Sequence, residues 1–145
     1  MTRDNLDKRN MGKPLICEFC TDNESIDHLF FGCAVAKNIW KDVSALFKIP
    51  VGQDYLSVAR FWPASKKQCA LNSICACILW GIWKTRNAHV FKNAIWSAIK
   101  QVWRRILSMI KKWMILFKKD YLPQVEAFVQ SVSEKLKNPF QLSMG

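Results

Sequence analysis

The sequence predicts a mainly α protein: a small CCHC knuckle packed against a bundle of about four helices, two of them long and central. Three observations carry this. Apolar residues recur at three- and four-residue spacing in residues 34–47 and 94–119. No stretch alternates apolar and polar residues strongly enough to read as a strand. A short stretch near the amino end gathers Cys and His at metal-site spacing, with little periodicity of its own.

Taken in order, residues 1–13 read as a polar lead-in, and Met1–Arg9 has no apolar core of a signal peptide. Residues 34–47 read as a helix with Val35, Ile39, Val43, Leu46 and Phe47 on one face and Trp40 beside them; Pro50 and Gly52 end it. Residues 53–64 form a connector with room for one helical turn, closed by Trp62-Pro63. Residues 65–91 read as a long helix, with Ser65 as N-cap. Residues 94–119 read as a second, with Asn93 as N-cap. The short gap between them suits an antiparallel hairpin or a kinked rod. Pro123 opens a last helix to about Lys137, and Asn138-Pro139 stops it. The apolar run from Cys69 to Trp83 is too short, and too interrupted by Asn72, Ser73 and Gly81, for a membrane span.

Composition divides the chain. Of 145 residues half are hydrophobic and 23% charged, enough for a core and ordinary for a globular domain, so global disorder is excluded. The chain holds 22 basic and 11 acidic residues, net +11, which favours an acidic partner. The excess is local. Residues 65–120 carry twelve basic residues and one acid, Asp120, whereas residues 1–33 carry four basic and six acidic. This suggests two parts: residues 1–50, a zinc-binding module with the helix that follows it, and residues 51–145, a basic helical region.

Cys17, Cys20, His28 and Cys33 form the pattern C-x2-C-x7-H-x4-C. Two cysteines two residues apart can turn both sulfurs onto one cation, and the returning His and Cys close a tetrahedron, the arrangement Zn²⁺ prefers. Four protein ligands leave no open position, so the expected site is structural, not catalytic. Residues 14–33 have few apolar side chains, and the metal would stand in for a core; Leu29, Phe30 and Phe31 would cover the site and dock it on the next helix. The alternative, three buried cysteines and a stray histidine, fits the ligand spacing poorly. The three thiolates and the acids Glu18, Asp22, Glu24 and Asp27, read as the loop's solvated surface, make the knuckle itself a poor grip for phosphate.

The run Cys17-x2-Cys20, Glu24, His28-Leu29-Phe30, Cys33, Ala36 and Trp40 resembles the zinc-binding domain that follows reverse transcriptase in plant LINE-type (non-LTR) retrotransposons. Thr2-Arg3-Asp4-Asn5-Leu6-x-Lys8-Arg9 is similar to that family's lead-in. Ile78-Leu79-Trp80-Gly81-Ile82-Trp83-Lys84-Thr85-Arg86-Asn87, with Phe91, resembles the segment carried between that domain and RNase H. The resemblance covers roughly residues 2–91 and implies a fragment or remnant lacking the polymerase and RNase H parts.

The remaining features are read from the residues alone. Cys69, Cys75 and Cys77 lie in the first long helix; 75 and 77 do not share a face, so they read as small buried hydrophobes. His89, with no acid or nucleophile near it in sequence, reads as structural or exposed. In the second long helix Ile95, Ile99, Val102, Ile106, Met109, Trp113 and Leu116 form a heptad seam, widened by Trp103, Ile110 and Phe117. Two basic lanes, Arg104, Lys111, Lys118 and Arg105, Lys112, Lys119, run on the other side. These six are the candidate phosphate contacts for RNA or DNA; no base-reading set accompanies them, and the tryptophans are expected on the apolar side. Solvated bundle surface, an anionic membrane surface and capture by a calmodulin-like partner use the same residues. The rival function is a helical interaction or assembly module, with the seam pairing to a partner helix or a second copy. Acids are too few for a two-metal nuclease site, and there is no phosphate-cradling glycine loop or Ser/His/Asp set, so no enzyme and no small-molecule substrate are expected. With no signal peptide read at Met1–Arg9, the six cysteines are expected in a reducing compartment, nucleus or cytoplasm, as metal ligands or buried thiols ahead of disulfides.

Overall fold

The computed structural model describes residues 16–59, 69–92 and 98–138. They form α1 (Ala34–Phe47), α2 (Tyr55–Ala59), α3 (Cys69–Phe91), α4 (Ile99–Trp113) and α5 (Leu122–Lys137). A π-turn at His28–Gly32 precedes α1, and a 3-10 turn at Met114–Leu116 follows α4. Among the described residues extended backbone pairs only in one isolated antiparallel bridge, Ile16 with Asn23. The mainly helical expectation holds, with four helices of 14 to 23 residues. The lead-in 1–13, Trp62-Pro63, Ser65, Asn93, Ile95 and Pro139 lie outside the described residues.

Helix α1 buries Ala36, Ile39, Trp40 and Val43, while Leu46, expected on that face, is exposed. It ends at Lys48, which takes the left-handed conformation (φ 56°) just before Pro50. The Ser44 hydroxyl then donates to the Val51 carbonyl at 3.0 Å and accepts from the Val51 N–H at 3.1 Å, folding the chain back on the helix. Gly52 follows at φ +90°, so close to the Trp40 ring that any Cβ would overlap it. The position is confined to glycine by both conformation and space. The Asp54 carboxylate accepts the Ser57 N–H at 2.7 Å and starts α2.

Helices α3 and α4 pack side by side, as in a helical hairpin and not a kinked rod. They meet closely at Gly81, where a Cβ would overlap the Ile106 side chain. Overpacking there costs about 1–3 kcal/mol, against a gain of about 1 kcal/mol in helix propensity. Gly81→Ala is therefore expected to lower stability in urea unfolding; a rise would contradict this close approach.

The second long helix differs from expectation. Its α-helical part stops at Trp113; the chain tightens through Met114–Leu116 and Phe117 is extended. Phe117 packs on Tyr121 at 5.7 Å between ring centroids. This contact closes the turn toward α5 and overrides the heptad pattern, so Lys118 and Lys119 lie in the connection and not on the helix. The seam itself is filled within the chain. Val102, Ile106 and Ile110 are fully buried, and Trp103 packs on Phe128 of α5 at 6.2 Å. What stays uncovered at its end is Leu116, 77% exposed, beside Ile115 at 88%. Within the seam Val102 and Ile106 thus face the chain's own core, while Ile99, Met109 and Trp113 are half-buried.

One buried cluster runs from Cys17, Phe19 and Leu29 through α1, α3 and α4 to Phe128 and Val132, joining residues on both sides of position 50. Cys75 and Cys77 belong to it as small apolar groups, and burial pushes both thiols up to about 12. Among the described residues no helix is long and apolar enough to cross a membrane.

Candidate metal centre and basic face

The Ile16–Asn23 bridge pinches residues 17–22 into a loop, fixed by the Cys17 N–H donating to the Asp22 carbonyl at 2.9 Å. Inside it the Phe19 N–H points at the Cys17 sulfur, 3.4 Å away. Ser25 opens the next turn by accepting the His28 N–H at 3.0 Å. The wide turn closes with the Cys33 N–H donating to the His28 carbonyl at 2.6 Å. That spacing carries His28 and Cys33 back to the loop, and Cys33 becomes the N-cap of α1. A single π-type turn of this sort is common where a helix must deliver functional groups.

The four predicted ligands come together. Cys17, Cys20, His28 and Cys33 each offer an atom, and these atoms lie within 4.8 Å of one another. The Cys17 and Cys33 sulfurs are 3.9 Å apart, and Cys20 Sγ lies 3.2 Å from His28 Nε2. Sulfurs held about 2.3 Å from one tetrahedral ion stand about 3.8 Å apart, so the donor set fits Zn²⁺ and is positioned to coordinate it.

The thiols report the same need. Cys17 donates to Cys33, which raises the Cys17 pKa, and burial raises it further. Cys33 accepts that bond and is lowered, with the Val35 amide at the start of α1 adding to the effect. Desolvation by burial is the first cause that raises Cys20. Buried thiols resist ionisation until a cation replaces their protons.

The covering residues act as expected. Leu29 and Phe31 are buried, Phe31 stacks on Trp40 at 5.9 Å, and Trp40 Nε1 donates to the Phe30 carbonyl at 2.7 Å. Phe30 meets Trp83 of α3 at 6.2 Å. His89 is buried and meets Phe19 edge to face at 6.3 Å, so it serves the docking of loop on helix.

One expectation is overturned here. Glu24 is not solvated surface: its side chain and that of Arg86 are both fully buried and paired. Arg86 donates through Nη2 to Oε1 at 2.7 Å and through Nε to Oε2 at 3.3 Å, a fork-on-fork geometry. The guanidinium also lies over the Trp83 and Phe91 rings, 5.4 and 5.8 Å from their centroids. The pair joins the metal loop to α3. Its sequence signal is Arg86 standing eight and four residues after Ile78 and Ile82, on the apolar stripe of α3, where a charge requires a partner.

Arg104, Arg105, Lys111, Lys112, Lys118 and Lys119 are all exposed, and none forms an ion pair among the described residues. The lanes diverge. Arg104, Lys111 and Lys112 border a groove against α5 with Ser133 and Lys137. Arg105 and Lys112 border another against α3 with Trp80, Lys84 and Trp113. Trp80, expected on the apolar side, is 43% exposed with Lys84 Nζ over its ring at 5.2 Å.

No curated protein and no solved structure matches the chain. Residues 1–40 match the family model described as zinc-binding in reverse transcriptase, a span that takes in all four ligands and ends on Trp40. Residues 1–40 are thus similar to the zinc-binding domain of reverse transcriptase, and the described part of that span gathers Cys17, Cys20, His28 and Cys33 where one metal ion could be held.

Proposed function

We propose that the chain is a non-catalytic zinc module of retroelement origin, of the plant LINE type its sequence resembles. In this reading it binds RNA or DNA without sequence specificity. Zinc at Cys17, Cys20, His28 and Cys33 holds the amino-terminal loop rigid and takes no part in chemistry, since all four positions are protein ligands. Phosphates are gripped by Arg104, Arg105, Lys111, Lys112, Lys118 and Lys119. The observation that carries the reading is that these six cations stand exposed and, among the described residues, without acidic partners, on a segment where no acid occurs between Asp54 and Asp120. Bundle surfaces ordinarily mix signs, and a one-sign field of this kind attracts polyanions. The module works inside the cell, in nucleus or cytoplasm, where its thiols stay reduced.

The test is binding of short RNA and DNA across a salt series. If about four phosphates are neutralised, the log–log slope is about −3 to −4. Arg104→Gln with Lys111→Gln should flatten it by about 1 to 2. A flat salt response in the wild-type chain rules the reading out.

A further inference from the structure

The groove between α3 and α4 differs from the one between α4 and α5 in what stands among its cations. The second is lined by cations, serines and leucines alone: Arg104, Lys111, Lys112 and Lys137 with Ser108 and Ser133 between them. The first, about 380 Å³, sets the rings of Trp80 and Trp113 beside Lys84, Arg105 and Lys112, with no acid lining it. A tryptophan nearly half exposed on an otherwise well-packed helix has given up burial that its neighbours Ile78 and Ile82 keep. Its ring already holds a cation, Lys84, in a contact that is weak when exposed.

We infer that this groove is a stacking site for an unpaired base, and that the polyanion preferred by the chain is single-stranded nucleic acid. The inference rests on the nucleic-acid reading above and sharpens it. A duplex hides its base faces against one another, so a duplex can use the cations of α4 but not the Trp80 ring. A single strand offers both. Its phosphates lie along Arg105 and Lys112 while a base takes the place of the Lys84 ammonium over Trp80. The displaced lysine swings to a neighbouring phosphate. Pairing an aromatic platform with a cationic track is how proteins hold single strands without reading sequence. An acidic peptide would satisfy the cations and leave the ring unused.

The experiment uses fluorescein-labelled 12-mers of oligo(dT) and oligo(rU), and a 12-base-pair DNA duplex, read by anisotropy with the zinc-loaded chain across one salt series, the three probes compared at each salt concentration. Single strands should bind more tightly than the duplex, with the two oligomers reporting whether DNA or RNA is favoured. Trp80→Ala should weaken single-strand binding by roughly 5- to 150-fold, the range for one lost base stack, and leave the duplex unchanged; Trp80→Phe should retain most of the affinity. Poly-glutamate of matched charge should compete poorly. Ultraviolet crosslinking of the wild-type chain to oligo(dT), mapped by mass spectrometry, should mark Trp80 or Trp113, and this reading does not depend on a variant folding. Steep salt dependence with equal affinity for strand and duplex and crosslinks elsewhere overturns the stacking site while leaving the broader reading standing. Poly-glutamate competing as well as the oligonucleotide also overturns it. Absence of salt-dependent binding to any of the three probes removes the nucleic-acid reading itself.

Discussion

Cys33→Ser is expected to abolish stoichiometric zinc and to unfold the loop of residues 16–33. Binding at a structural zinc site is worth about 10–16 kcal/mol apparent, as much as the whole stability of an ordinary domain, about 5–15 kcal/mol. The loss should spread beyond the loop. Cys33 is also the N-cap of α1, Phe31 stacks on Trp40, and Phe30 meets Trp83. Near-ultraviolet circular dichroism from those tryptophans should collapse in the variant, and in the wild-type chain on adding a strong chelator. An unchanged spectrum after metal removal would contradict the role given to zinc. The pH dependence has a definite sign. Without metal, Cys17 and Cys20 are raised, Cys17 chiefly by its bond to Cys33 and Cys20 by burial. Both are therefore protonated near neutral pH, and zinc must displace those protons. Apparent affinity then rises with pH, about tenfold per unit for each proton displaced.

The second large effect belongs to Glu24 and Arg86. Arg86→Met takes the bidentate Arg86 partner away from the buried Glu24 carboxylate and should cost about 3–5 kcal/mol. The double variant Glu24→Gln, Arg86→Met removes both charges and should recover much of that loss, because two buried charges also cost desolvation. A double-mutant cycle by urea unfolding at saturating zinc isolates the coupling. A single-variant cost below about 1 kcal/mol would mean that the pair is not the link between loop and helix.

The ligand set could be read from the sequence because metal geometry is local. Four donors separated by two, seven and four residues can reach one ion whatever the rest of the chain does. The helices at 34–47 and 122–137 could be read for a similar reason, their periodicity and the bounding Pro50 and Pro123 being local signals, although the left-handed stop at Lys48 was not among them. The Glu24–Arg86 pair was harder because its members are 62 residues apart, and only packing of the loop on α3 brings them together. The early end of α4 at Trp113 was hidden because the heptad pattern continues to Leu116 while the Phe117–Tyr121 contact, a tertiary effect, breaks the helix. The exposure of Trp80 was equally invisible. Its stretch, Ile78 to Trp83, is apolar on every side, and which ring faces outward is decided by how closely Gly81 lets α4 approach.

The central claim is that three sulfurs and one imidazole share a single cation. X-ray absorption at the zinc edge on the purified wild-type chain tests it most directly. The account predicts one zinc per chain, with three sulfurs at about 2.3 Å and one histidine nitrogen at about 2.0–2.1 Å. A zinc content well below one per chain, or a shell of oxygens and nitrogens in place of the three sulfurs, would contradict it.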